Sequence, residues 1–218
     1  MIAIIDSGIG GKGIEQEIRK LLPKVRIIYF ADKKNFPYGL KKPTYLRKIL
    51  KEHVQTFIDK GAKIVVIACN SGSVSALKNL QAEFKTPIVG VVPIIKEASK
   101  MTKTKEIAVL ATPVTVKSKV LNDLIKECCR GVKVYKIPCQ KLARYIEDRD
   151  TEKIKKEVSE LWGKYRNKNI DTVVLGCTHY TLDKKEIQGV IGSKVKIIDS
   201  NKEVAQKVKK IYDGLKQR

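Results

Sequence analysis

A thiol, a hydroxyl and an imidazole stand in succession at Cys177, Thr178 and His179. They follow a short run of β-prone and apolar residues that ends on Gly176, a pattern typical of a buried strand that has just finished. In open α/β sheets, ligands bind in the crevice beyond the carboxyl ends of the strands. These three side chains are therefore predicted to lie where a small molecule can reach them.

A second thiol occurs in a matching context. The segment 63–73 (KIVVIACNSGS) is another apolar run that ends on a cysteine, and Cys69 precedes Asn70 much as Cys177 precedes Thr178. The spacing suggests two similar α/β halves that each offer one thiol. Two thiols facing each other across a cleft could exchange protons with a molecule held between them. Either cysteine alone would instead be interpreted as a small, inert hydrophobic residue.

The composition is that of a globular protein. The chain has 218 residues, of which 43% are hydrophobic and 31% charged, and it contains no apolar run long enough to span a membrane. The N-terminal MIAIIDSG reaches Asp6 before an apolar signal segment could form, so we expect no signal peptide. Five cysteines without CxxC spacing argue against a disulfide framework and against a zinc site. We expect a cytoplasmic protein.

The net charge of +22 is the unusual property of this chain. Such a charge invites a nucleic-acid hypothesis. However, the cations are mostly lysines scattered over the predicted helices, and only 6% of the residues are aromatic and able to stack on bases. We therefore predict no nucleic-acid partner beyond non-specific attraction. The charge would help to attract an anionic substrate.

Strand and helix patterns alternate along the chain and predict an α/β fold with two similar domains, each a mostly parallel sheet flanked by helices. The alternation starts again after Pro93. The predicted domains are an N-terminal lobe of residues 1–92 plus 201–218, which carries Cys69, and a second lobe of residues 93–200, which carries Cys177. The predicted strands cover residues 1–5, 25–30, 64–68, 87–92, 106–111, 132–137, 173–175 and 195–198.

Two loops add candidate ligand-binding residues. Asp6 and Ser7 follow the first predicted strand in the glycine-rich stretch DSGIGG, which lacks the G-x-G-x-x-G spacing of dinucleotide-binding folds. Tyr38 lies between Pro37 and Gly39 in a turn-rich loop, and we expect it to be exposed and to line a cleft.

Other residues are expected to be structural. His53 lies within a predicted amphipathic helix and is interpreted as an ordinary helix-face histidine. Cys128 and Cys129 stand at a predicted helix end and are assigned to packing. Cys139 also follows a strand and is kept as a secondary candidate, because it lacks the small polar residues that follow the other two cysteines. The helix after Cys69 is predicted to cover residues 74–84.

Four motifs in the same order resemble the glutamate racemases, within the wider group of aspartate and glutamate racemases. They are Asp6–Gly11, then Asp32 with Pro37–Gly39, then Ala68–Asn70, and finally Gly176–Tyr180. The resemblance covers essentially the whole chain. An imidazole at His179 resembles the glutamate branch, since the aspartate branch more typically has an acidic residue there.

The resemblance implies two α/β domains with the active site in the cleft between them. It also implies racemisation of glutamate without a cofactor or metal, in the supply of D-glutamate for peptidoglycan. Cys69 would remove the α-proton of D-glutamate and Cys177 that of L-glutamate, assisted by Asp6 and His179 respectively. The implied substrate-binding residues are Ser7, Pro37, Tyr38, Gly39, Asn70, Ser71, Thr115, Glu147 and Thr178.

Some loop residues depart from that pattern. Ser71-Gly72 stands where Thr-Ala is usual, Val114 replaces a glycine, and residues 181–183 differ after Tyr180. These departures leave open a racemase or isomerase of another small dicarboxylic acid such as aspartate, or an inactive basic binding protein on the same scaffold. A homodimer is also left open.

Overall fold

The computed structural model describes residues 1–217, and within them the chain forms two parallel sheets. Runs of isoleucine, valine and alanine form the central strands, because β-branched side chains pack well on a pleated surface that is covered on both faces. The strands are β1 (Ile2–Asp6), β2 (Ile27–Ala31), β3 (Ile64–Ile67), β4 (Ile88–Gly90), β5 (Glu106–Ala111), β6 (Lys133–Pro138), β7 (Thr172–Gly176) and β8 (Lys196–Ile198).

Helices connect the strands and cover the sheets. They are α1 (Lys12–Leu21), α2 (Pro43–Asp59), α3 (Asn70–Glu83), α4 (Ile95–Met101), α5 (Pro113–Lys117), α6 (Lys119–Cys128), α7 (Leu142–Glu147), α8 (Thr151–Gly163), α9 (Lys184–Ile191) and α10 (Asn201–Lys216). Short 3-10 turns at 33–35, 38–40 and 179–181 shape the loops. Within residues 1–217, no helix combines the length and apolar character needed to cross a membrane.

The two sheets have the same topology. The first has the order β2-β1-β3-β4 and the second has the order β6-β5-β7-β8, with every pair parallel. Strands β1 and β3 are therefore the central pair of one sheet, and β5 and β7 are the equivalent pair of the other. The predicted fold class, α/β with two similar sheets flanked by helices, is confirmed.

Separate apolar layers lie against each sheet. Helix α10, although last in the chain, packs against the first sheet, where Val204 and Val208 join the cluster that contains Ile2 and Ile4. The other face of that sheet is covered by α2 and α3, whose Leu50 and Leu80 belong to a second cluster. The chain thus returns to its first half after completing the second.

The structure differs from the sequence predictions at two elements near Cys69. Helix α3 begins at Asn70 rather than at residue 74, so Cys69 occupies its N-cap position. Polar and glycine residues at 70–73 look like a loop in the sequence, but here they form a buried first turn. Tyr38 is only 1% exposed, so the expectation that it is exposed was wrong.

Candidate active site

The candidate site lies where the central strands of both sheets end. Asp6 ends β1 and Cys69 follows β3 after one residue, whereas Thr112 and Cys177 directly follow β5 and β7. Because parallel strands end at a common sheet edge, this topology gathers residues that are distant in the chain. The loop after β1 then packs directly on the loop after β7, where Gly10 contacts the ring of His179.

Groups around Cys69 shift the pKa of its thiol. The residue is 6% exposed. Burial raises the pKa of its thiol well above the usual range, and negative charge on Asp6 and Cys177 raises it further, against an opposing hydrogen bond from the Gly72 backbone. Cys69 is therefore a thiol, not a thiolate, at neutral pH.

Asp6 is fully buried beside Cys69 and is held by backbone amides. The Ser7 N–H donates to Oδ1 over 2.7 Å, and the Gly11 N–H donates to Oδ2 over 2.5 Å. Burial raises the pKa of Asp6, although the charge of His179 and these two amides oppose the rise. The Tyr29 hydroxyl lies 3.4 Å from Oδ2 and donates to the Gly8 carbonyl over 2.8 Å. These hydrogen bonds hold the carboxyl group of Asp6 next to Cys69.

Cys177 has a different partner. It is 5% exposed and hydrogen-bonded to the imidazole of His179. Nε2 of His179 lies 2.8 Å from Oε2 of Glu147, which also accepts the backbone N–H of Ile9 over 3.0 Å. Burial lowers the pKa of His179, but the hydrogen bonds with Cys177 and Glu147 outweigh it and bring the pKa to about 10. Cys177 therefore faces a cationic acid, whereas Cys69 faces a carboxyl group.

This imidazole gives a testable pH dependence of stability. Since the pKa of His179 is about 10 in the fold and 6.5 as a free side chain, the fold binds a proton that the unfolded chain releases between these values. The stabilising contribution is complete below pH 6.5 and is lost as the pH rises toward 10. We expect the free energy of unfolding to fall across this window more steeply for the wild type than for His179→Gln, measured by urea denaturation at each pH. Equal slopes for the wild type and His179→Gln would contradict an ion pair between His179 and Glu147.

Ser71 connects the two halves of the site. Its hydroxyl lies 2.7 Å from that of Thr112, which in turn donates to the Thr115 hydroxyl over 3.2 Å. The methyl group of Thr112 also packs on Gly39. Thr115 was predicted and Thr112 was not. The signal available in the sequence was its position directly after the predicted strand 106–111, equivalent to that of Asp6 at the end of β1.

Asp32 organises the loop that carries Tyr38. Its Oδ2 accepts the Tyr38 hydroxyl over 2.7 Å and lies 3.0 Å from Nε2 of His53, and the Asn35 amide donates to both of its oxygens. Burial raises the pKa of Asp32, but these hydrogen bonds outweigh it and the pKa is lowered. His53 is thus a partner of a buried carboxylate, not the ordinary helix-face histidine that was expected. Pro37 lies half-buried at the start of the same turn.

Two polar side chains that directly follow the cysteines in the chain have an atom without a hydrogen-bond partner. Within residues 1–217, Nδ2 of Asn70 and Oγ1 of Thr178 are buried without a hydrogen bond. Such orphaned groups are rare in folded proteins and call for a partner that the chain does not supply. Asn70 directly follows Cys69, and Thr178 directly follows Cys177. A bound polar molecule at this point would satisfy both groups.

The remaining cysteines lie outside this arrangement. Cys139 is 1% exposed, and its Sγ donates weakly to the Ile137 carbonyl over 3.6 Å. Burial raises the pKa of its thiol, so it stays protonated. Cys129 packs in the apolar layer under α6, and Cys128 lies at its edge. In the part of the chain that the structure describes, no cluster of His, Cys, Asp or Glu could hold a metal ion.

Fold and site together define the class of enzyme: two equivalent α/β lobes, each with a cysteine just beyond a central strand, are those of an amino-acid racemase, and the model of the Asp/Glu/hydantoin racemase family matches residues 12–208. A relative from Roseiflexus sp. (strain RS-1), a glutamate racemase, is 38% identical over 215 residues, which are 96% of this chain and 78% of the relative. The chain belongs to the glutamate racemase family.

Solved structures agree with this assignment. Glutamate racemase from Escherichia coli, solved with L-glutamate and the activator UDP-MurNAc-Ala, matches with a TM-score of 0.88 at 31% identity, over 95% of this chain and 80% of that one. The enzyme from Francisella tularensis, solved with D-glutamate, matches with a TM-score of 0.85 at 28% identity, over 99% and 81%. The resemblance stated from the four motifs is therefore confirmed.

Proposed function

We propose that this protein interconverts L- and D-glutamate by proton transfer at the α-carbon between Cys69 and Cys177, without a cofactor. The observation that carries the proposal is the equivalence of the two thiols, one after β3 and one after β7, each beside its own ionisable partner. Relatives that bind L-glutamate and D-glutamate support the substrate. We also propose that the D-glutamate serves peptidoglycan synthesis.

In the direction from L to D, the sulfur of Cys177 takes the α-proton as a thiolate, and the electron pair passes to the α-carbon and its carboxylate. Cys69 then gives its proton to the opposite face. This leaves Cys177 as a thiol and Cys69 as a thiolate, and proton exchange with solvent restores the starting form. The raised pKa of Cys69 supports its role as the acid in this direction. Asp6 and His179 assist their neighbouring thiols.

The carbanion needs donors for the negative charge that develops on its carboxylate. The unpaired Nδ2 of Asn70 and the hydroxyl of Thr178 would supply two. Backbone N–H groups in the first turn of α3 would supply others, because a helix N-terminus attracts anions. Ser7, Ser71, Thr115 and Glu147 would complete the substrate contacts.

Substrate entry would require the lobes to separate, because both thiols are nearly covered. The contacts that would break include the Ile9–Glu147 and Ser71–Thr112 hydrogen bonds. We propose the domains as residues 1–92 plus 201–218 and residues 93–200, a division that the packing of α10 on the first sheet supports. The unpaired state of all five cysteines fits a reducing cytoplasm.

The reaction can be tested in D2O with each enantiomer and no added pyridoxal phosphate. We expect deuterium at Cα of the product enantiomer from either starting isomer, measured by NMR and chiral chromatography. L-aspartate in parallel gives the matched comparison, since it differs by one methylene. Exchange on aspartate alone would reassign the substrate, and no exchange on either would refute the proposal.

A further inference from the structure

A cavity of about 620 Å³ opens at the junction of the two lobes, outside the thiol pair. Both halves of the chain line it. The first half contributes Gly39, Arg47 and Ser75, and the second contributes Pro113, Lys117 and Lys119 among others. Glutamate is much smaller than this volume, so the cavity has room for the substrate together with water.

Only a thin wall separates this cavity from the candidate active site. Gly39 directly follows Tyr38 and packs on Thr112. Thr112 in turn is hydrogen-bonded to Ser71, two residues after Cys69. These are inter-lobe contacts, so separating the lobes would remove the wall and join the cavity to the thiols. With the lobes apart, the cavity would lie on a path from solvent to the site.

The cavity walls are cationic. Arg47, Lys117 and Lys119 line it, and the described lining residues include no carboxylate. Lys119 is paired with Asp123 at 2.9 Å, but within residues 1–217 neither Arg47 nor Lys117 makes an ion pair. Arg47 is instead oriented by its Nε–H, which donates to the Ser75 carbonyl over 2.9 Å. Two cations are therefore available to an anion.

Ser75 provides a second, independent sign of a ligand. The residue is 7% exposed and lines the cavity, yet its hydroxyl is buried and has no hydrogen-bond partner in the described chain. When the lobes are apart and this hydroxyl is uncovered, a carboxylate oxygen beside Arg47 would satisfy both. Charge-assisted hydrogen bonds of this kind are the strong ones.

We propose that this cavity is the entry site at which a carboxylate of the amino-acid substrate docks before the lobes close, an inference that rests on the proposed function. Arg47 and Lys117 receive the anion, and the Ser75 hydroxyl orients it. This assigns a role to the net charge of +22, because a basic surface raises the local concentration of anions and a charged cleft focuses them. The function proposed above does not otherwise use these residues.

The test is the double variant Arg47→Gln/Lys117→Gln. We expect kcat/KM to fall about tenfold at low salt while kcat stays within about twofold. The reason is that the docking contacts are made only before the lobes close and are absent during proton transfer. The fall must be equal for both enantiomers, whose equilibrium constant is one. Added salt should lower kcat/KM of the wild type more than that of the variant. The matched control, Lys207→Gln/Lys210→Gln on α10, removes the same charge from a face away from the cavity.

Ser75→Ala is a second variant, and it tests the docking site without destabilising the fold. Its hydroxyl is unpaired in the free protein, so we expect thermal stability to be equal or higher and KM to rise severalfold. If the double variant behaves like the α10 control, or if kcat falls with KM unchanged, the entry site is wrong while the reaction stands. If the wild type neither racemises nor exchanges deuterium, the proposed function itself fails.

Discussion

Cys177→Ala is expected to lower kcat/KM for glutamate racemisation by at least about 10³-fold, and Cys69→Ala by a similar factor. A positioned acid or base contributes about 10²–10⁴-fold, and neither thiol has a substitute on its own side of the cleft. His179 and Asp6 are the hydrogen-bond and charge partners of the thiols. Inversion needs a donor on one face and an acceptor on the other, so a single thiol is not sufficient.

Chiral chromatography of reactions started from each enantiomer measures this loss. Cys128→Ala is the matched control, since it makes the same substitution at a free cysteine outside the site and should retain full activity. The two catalytic variants should not be additive: the double variant should be no worse than either single one, because residues that act as a unit fail together. A Cys177→Ala protein that still racemises glutamate would disprove the two-thiol mechanism.

The positions of both thiols could be predicted because strand ends are local features. The apolar run before Cys177 and the one before Cys69 each predicted a buried strand, and β7 and β3 cover them. Parallel strands of one sheet end at the same edge, so the pattern placed Asp6 at the crevice beyond the strand ends, whereas its pairing with Cys69 was implied by the family resemblance. The two sheets have equivalent strand orders, and the matching residues around Cys69 and Cys177 had already predicted two similar halves.

Contacts between distant segments could not be predicted in this way. The hydrogen bond from Ile9 to Glu147 joins residues 138 positions apart, and nothing in either local pattern requires it. Tyr38 looks exposed between Pro37 and Gly39, yet its hydroxyl reaches Asp32 in the interior. Turn residues indicate where the backbone bends but not what packs over the bend.

The predicted start of α3 was wrong for a different reason. Asn70, Ser71, Gly72 and Ser73 have poor helix propensity, so the pattern favoured a loop. Burial outweighs that preference, mainly inside the first lobe, while Ser71 reaches Thr112 of the second. The small side chains allow Gly72 to approach the core and let Ser73 bond the Ile67 carbonyl over 3.1 Å. Local rules therefore failed at the functional turn, where the structure uses small residues for close approach.

Gly10→Ala is expected to lower kcat/KM by about 10²-fold or more. A Cβ at this position would overlap Nδ1 of His179 and would lie 2.6 Å from its backbone nitrogen and 2.8 Å from Oγ1 of Thr178. Because one of these atoms is backbone, rotating a side chain cannot relieve the overlap. The lobes must shift apart, and a misplacement of about 1 Å in a catalytic site can cost about 10²-fold. Both the acid beside Cys177 and the Thr178 donor would move.

Gly189→Ala is the control for this variant. Gly189 lies inside α9 with nothing within 4 Å of the added methyl group, so alanine there should stabilise the fold by about 1 kcal/mol and leave activity intact. Steady-state kinetics should give a lower kcat and a higher KM for Gly10→Ala, because the closed site forms less often and less accurately. Thermal unfolding distinguishes this kinetic loss from misfolding. Overpacking costs only about 1–3 kcal/mol, so Gly10→Ala should still unfold cooperatively. Full activity in Gly10→Ala would mean that catalysis does not depend on this close approach of the two lobes.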